Sequence, residues 1–196
     1  MNYANHIVSA LEKEIERLPN GFYDSFDYTS TGQNFTHPLT WGLLTRILWQ
    51  IEGVSFVAID FRLNEDQTKF QPDLTALSSI KPFKPLLFVD YESPNSCDTR
   101  IPHKDVSAYV EWSIVYGSRV PYVIITTLPN GPTSDWQLRY ASKGKDNAKY
   151  KGRKDEIAGN PFKFWYADYK AALKGQDLDK VYFINIDAKR VEVVKL

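Results

Sequence analysis

Three carboxylates are placed where they could act together. Asp90 and Glu92 end the strand-like segment "LLFVDYE" (86–92), and Asp73 follows Pro72 in "KFQPDLTAL" (69–77). In a strand, residues two apart share a face, so Asp90 and Glu92 point the same way while Tyr91 points the other. A charge in a sheet core is costly unless something compensates it. If the two segments pair through the turn between them, Asp73 approaches Asp90, and converging carboxylates raise one another's pKa values. A divalent cation with oxygen ligands, Mg²⁺ or Mn²⁺, relieves that repulsion and is typically held by one or two carboxylates plus water and substrate phosphate. Such a metal generates hydroxide and stabilises charge on a transferring phosphoryl group. Taken singly, Asp73 reads as a turn residue, because Pro-Asp is a common turn dipeptide. Glu92 alone reads as the entry to the loop begun by Ser93 and Pro94. Asp90, preceded by four apolar residues, is not accounted for in that way.

A second feature is basic. Lys143, Lys145, Lys149, Lys151, Arg153 and Lys154 fall within twelve residues, with Asp146 the only acid among them and Tyr150 interleaved. This segment could neutralise several phosphates without reading sequence, or it could be a solubilising loop. Lys104 opens a helical segment after Pro102 and His103, a place where a lysine is usually solvated. Cys97 and His103 do not make up the four ligands of a structural zinc site. The chain has no nucleophile elbow, glycine-rich phosphate loop or dinucleotide fingerprint, which disfavours a serine hydrolase, a P-loop NTPase and a Rossmann dehydrogenase.

These residues need elements to hold them. Ile7, Val8, Leu11, Ile15 and Leu18 recur at helical spacing, stopped by Pro19 and Gly21. Residues 20–37 read as an aromatic, turn-rich loop. Thr36 is placed to cap a second helix with Pro38 in its first turn, an apolar face of Leu43, Leu44, Ile47, Leu48 and Ile51, and Gly53 as its end. "VSFVAIDF" (54–61), 69–77 and 86–92 are the first three strands. Residues 104–116 form a helix ended by Gly117, with Val106, Tyr109, Val110 and Ser113 on one face. "VPYVIITT" (120–127) is a strand apolar enough to be covered on both sides. Residues 135–142 suggest another strand, "FKFWYADYKAALKG" a helix, and "VYFINI" with "RVEVVK" a hairpin. The expected class is α/β, a mixed sheet flanked by helices, in one domain of 196 residues with its core about 36–127.

With this order in hand, "QPDLTAL" followed by "LLFVDYESPNS" resembles the PD-(D/E)xK nuclease superfamily: Pro-Asp on one strand, acid-x-Lys on the next, in a restriction-endonuclease-like core of helix, three strands, helix and strand. It is most similar to the bacterial Uma-type endonuclease family, whose second motif strand ends in an acid, two residues and Ser-Pro, with a lysine on the following helix shortly before a tyrosine. Asp90, Ser93, Pro94, Lys104 and Tyr109 occupy nearly that spacing. The resemblance covers roughly residues 36–127. It implies that Asp73 and Asp90 ligate Mg²⁺ or Mn²⁺ and that a lysine orients or activates the attacking water. Two departures stand. Glu92 occupies the acid-x-Lys lysine position, where it would be a further ligand or a base, or the lysine has migrated to Lys104. The acid expected on the first core helix has only Glu52, at the far end, or His37, before its start, as candidates.

The expectation is therefore a metal-dependent endonuclease hydrolysing DNA, of restriction or repair type, with the basic residues of 143–154 gripping the backbone. The alternative is a non-catalytic nucleic-acid-binding or interaction module that keeps the fold with a decayed site. Twenty-four basic and 24 acidic residues balance, so only a local patch, not overall charge, could favour a polyanion. One cysteine fits a reducing compartment. With no signal-like or membrane-spanning stretch, a cytoplasmic location without a membrane partner is expected. Duplex-cutting nucleases of this kind are often homodimers.

Overall fold

The computed structural model describes residues 3–17, 30–62, 69–92, 101–117, 119–128, 130–132, 153–174, 180–187 and 190–195. Its elements run α1 (Tyr3–Arg17), α2 (Ser30–Leu48), β1 (Phe56–Ile59), β2 (Leu74–Ser79), β3 (Lys84–Glu92), α3 (Ile101–Tyr116), β4 (Tyr122–Thr126), α4 (Lys154–Gly159), α5 (Pro161–Leu173), β5 (Val181–Asp187) and β6 (Arg190–Lys195). All six strands join one sheet in the order β1-β2-β3-β4-β5-β6. The β1–β2, β2–β3 and β5–β6 pairs are antiparallel, and β3–β4 and β4–β5 are parallel. Parallel neighbours need a crossover long enough to span the sheet. α3 lies in the first connection, and α4 with α5 in the second.

Helices cover both faces, so the core is double. On one face Ile7, Leu11 and Ile15 of α1 and Leu44, Ile47 and Leu48 of α2 meet Leu74, Val89, Tyr91, Val123, Ile125 and Ile184. On the other, Tyr109 and Trp112 of α3 and Phe162 and Trp165 of α5 meet Phe88, Tyr122, Ile124 and Phe183. All five residues of β4 are consequently buried, matching its near-continuous apolar sequence. The α/β class, the mixed sheet and the hairpin of β5 and β6 are as the sequence suggests.

Four local expectations change. Residues 30–37 are helical rather than loop, and Pro38 lies inside α2, not in its first turn. Proline removes one helical N–H and crowds the carbonyl four residues back, which is why a start was expected there; the buried Leu44, Ile47 and Leu48 downstream hold the helix to the sheet. The ladder of β2 begins at Leu74, not residue 69, because Pro72 has no N–H and the Asp73 N–H is directed to a side chain, Asp90 Oδ1 at 2.7 Å. Lys154 opens the short helix α4 instead of ending a loop. On α3, the buried face is Val106, Ala108, Tyr109 and Trp112, with Ser113 only half-buried. The suggested strand at 135–142 lies outside the described residues. No described helix is long and apolar enough to cross a membrane.

Candidate functional site

Asp73 and Asp90 are held together by two reciprocal hydrogen bonds between β2 and β3. The Asp73 N–H donates to Asp90 Oδ1 at 2.7 Å, and the Tyr91 N–H donates to Asp73 Oδ2 at 2.7 Å. Each carboxylate therefore continues the ladder one step beyond Leu74–Val89, the last paired residues at that end. Upstream, the Phe70 ring anchors the approach to Asp73. It is 2 % exposed and meets Phe88, Tyr109 and Tyr122 at centroid distances of 5.1, 5.6 and 5.5 Å, all edge-on. Such pairs each add about 0.5–1.5 kcal/mol beyond area burial, so the Gln71–Pro72–Asp73 segment leaves a fixed point.

The second Asp90 oxygen accepts the hydroxyl of Tyr122, which stands on β4 at the register position of Phe88. Asp90 is 7 % exposed and Tyr122 is fully buried. Burial, then repulsion from Asp73 and Asp105, push the Asp90 pKa well above the ordinary aspartate range against the two hydrogen bonds that lower it. Asp73 is pushed up to about 6, mainly by burial and secondarily by Asp60. The Tyr91 N–H, a Trp41 side-chain hydrogen bond and the Lys104 charge pull in the opposite direction. In both cases desolvation outweighs hydrogen bonding.

The other expected residues are distributed unevenly around this pair. Glu92 follows on β3, half-buried and opposite Thr126 of β4. Among the described residues, no three His, Cys, Asp or Glu side chains form a metal-holding group. Lys104 projects from the first turn of α3 with its side chain 74 % exposed, 4.0 Å from Asp105 Oδ1. Its charge lowers the Asp73 pKa, as the least of the influences on that carboxyl. Tyr109, expected in the core, is buried and donates to the Val120 carbonyl at 2.7 Å. Glu52 is exposed in the turn beyond α2, and the His37 side chain lies outside the described residues. α2 instead brings the Trp41 side chain, not an acid, near enough to lower the Asp73 pKa.

Of the basic segment, Lys143, Lys145, Lys149, Lys151 and the Lys154 side chain lie outside the described residues. Arg153 is engaged within the protein. It makes two 2.6 Å hydrogen bonds to Glu156, whose pKa they lower, and its guanidinium lies 4.6 Å from the Phe164 ring centroid. Its expected role as a phosphate contact therefore competes with an existing ion pair.

Four residues near the pair went unread in the sequence. Asp60, just past β1, has φ 50°, a left-handed conformation that aspartate tolerates better than most residues. Gln71 Nε2 donates to its Oδ1 at 2.7 Å, and its N–H donates to the Asp73 carbonyl at 2.7 Å. An acid at the end of an apolar strand was the available signal, the same one that marked Asp90. Asp105 carried a weaker signal, adjacent to Lys104. Trp41 and Tyr122 carried none, since each sits in an apolar run that reads as core.

Asp73 and Asp90 fit a hard divalent cation. They offer oxygen donors from facing strands, their charges repel, and Mg²⁺ needs only one or two carboxylates beside its waters. Comparison with protein-family models, curated proteins and solved structures finds no match for this chain.

Proposed function

We propose that this chain is a metal-dependent nuclease with a restriction-endonuclease-like core, hydrolysing phosphodiester bonds in DNA. The observation carrying the proposal is the Asp73–Asp90 pair, Asp90 buried and Asp73 half-buried, whose carboxyl pKa values are both raised. Unliganded, the pair opposes its own ionisation, and a bound cation relieves that opposition. The element order α2, β1, β2, β3, α3, β4 and the motif resemblance at Pro72, Asp73, Asp90, Ser93 and Pro94 support the same reading.

Asp73 and Asp90 would hold Mg²⁺ or Mn²⁺, and when bound the ion would supply Lewis acidity and a water of lowered pKa. Lys104, unburied and close enough to influence Asp73, would meet the substrate phosphate and its developing negative charge. Glu92, on the Asp90 side of β3, would accept a proton or add a ligand oxygen. Lys143, Lys145, Lys149 and Lys151 would bind the backbone electrostatically.

One observation favours a second reading, a nucleic-acid-binding or interaction module with a decayed site. Both carboxylates already close backbone N–H groups across the β2–β3 ladder at 2.7 Å, a bracket that serves the fold without metal. Thermal unfolding with and without Mn²⁺ separates the two. Wild type should gain stability by about 2.7 kcal/mol at a hundredfold excess of Mn²⁺ over its Kd, and Asp90→Asn should gain none. Plasmid cleavage with Mg²⁺ should follow the same split. Equal Mn²⁺ responses in both proteins would remove the hydrolytic proposal.

A further inference from the structure

We propose that Tyr122 is the positioning residue of the carboxylate pair: its hydroxyl, with the Asp73 amide, clamps both Asp90 oxygens and fixes the plane in which Asp90 meets a divalent cation. The inference rests on the nuclease reading of the same pair. An aspartate χ2 is a soft, broadly two-fold torsion, so one hydrogen bond leaves the carboxylate free to swing. Asp90 has two, from donors on the neighbouring strands to either side: the Asp73 N–H on Oδ1 and the Tyr122 hydroxyl on Oδ2. The first donor is backbone and cannot turn away. The second is held almost as rigidly. Tyr122 is fully buried, its ring stacks on Tyr109 at 4.9 Å with a 30° interplanar angle, and the Phe70 ring meets it edge-on at 5.5 Å and 84°.

The cage also contains its own control. Tyr109 is as buried as Tyr122 and meets the same Phe70 ring edge-on at 5.6 Å, yet its hydroxyl donates to the Val120 carbonyl at 2.7 Å. Removing either hydroxyl spares the rings and deletes one buried hydrogen bond, but only Tyr122 touches Asp90.

The test is Mn²⁺ binding, read from the electron paramagnetic resonance signal of free Mn²⁺, for wild type, Tyr122→Phe, Tyr109→Phe and Asp90→Asn. Residues that orient metal ligands typically contribute ten- to hundredfold to affinity, so Tyr122→Phe should raise the Mn²⁺ Kd about tenfold or more. Tyr109→Phe should leave it within about twofold, a difference that loss of a generic buried hydrogen bond would not produce. The expected loss should persist when pH is raised from 7 to 8.5. Wild-type affinity in Tyr122→Phe, with binding lost in Asp90→Asn, overturns the positioning role alone. No Mn²⁺ binding by wild type, or equal binding in Asp90→Asn, overturns the nuclease reading and this inference together. Should Tyr122→Phe not fold, wild type carrying ¹³Cζ-labelled tyrosine decides the matter: saturating Mg²⁺ should shift the Tyr122 resonance and leave Tyr109 in place, and an unmoved Tyr122 overturns the role.

Discussion

An aspartate that accepts a backbone N–H usually titrates below its reference value, yet Asp73 accepts one from Tyr91 and is still raised from 3.8 to about 6. Its folded pKa exceeds its unfolded one, so between those values the native state binds more protons and stability falls as pH rises. The stabilisation of the protonated form is complete below about pH 4 and gone above about pH 6, costing on the order of 2–3 kcal/mol. Asp90 acts in the same direction. Asp73→Asn keeps an acceptor for the Tyr91 N–H without the charge. Urea denaturation should find it more stable than wild type at pH 7 by roughly 1–3 kcal/mol and nearly equal at pH 4. A variant less stable at pH 7 would refute this account. At this scale the sequence disclosed the acids but not their donors. Asp90 stood out as a charge after four apolar residues and drew attention to Asp73, which alone reads as a turn residue, whereas Tyr122 lies 32 residues from Asp90, and nothing in an apolar run marks where its hydroxyl points.

Between elements, the same problem appears at Asn185. This fully buried residue of β5, opposite Thr126 of β4, accepts the Leu128 N–H at 2.9 Å and the Thr126 hydroxyl at 2.7 Å, and donates its amide N–H to the Leu128 carbonyl at 2.9 Å. One side chain thus completes the backbone where the chain leaves the central strand, the strand that carries Tyr122. Asn185→Ala would strand the Leu128 N–H and carbonyl in the core. At about 1–3 kcal/mol for each unsatisfied group, equilibrium denaturation should show a loss of roughly 2–4 kcal/mol; a loss under 0.5 kcal/mol would mean that other groups or water replace it. The elements themselves were largely legible, since helical apolar spacing marks α1, α2 and α3, and short apolar runs such as that of β4, buried at all five residues, mark the strands. Their boundaries were not. Pro38 looked like a helix start because local sterics favour that, while the helix is anchored by packing further along; β2 is shortened because a ladder amide is diverted to Asp90.

For the molecule as a whole, balanced charge means that any grip on a polyanion must be local. Six basic residues between 143 and 154 are the obvious source, but they are not equivalent. Arg153 is paired with Glu156 and stacked on Phe164, so engaging a phosphate would first require breaking contacts it already has. Lys143, Lys145, Lys149 and Lys151 have only Asp146 among them in sequence. Affinity for duplex DNA falls with salt at a logarithmic slope of about 0.9 per phosphate neutralised. Replacing those four lysines with glutamine should therefore flatten the slope by up to about 3–4, measured by fluorescence anisotropy between 50 and 200 mM salt. Arg153→Gln should change it by less than about 0.5. If instead the four-lysine variant keeps the wild-type slope, the segment is a solvated loop and the phosphate contacts must be sought nearer Lys104. That comparison also bears on the two readings of the carboxylate pair, because a nuclease and a decayed binding module both need the lysines, whereas only the nuclease also needs Asp90 charged and held in place.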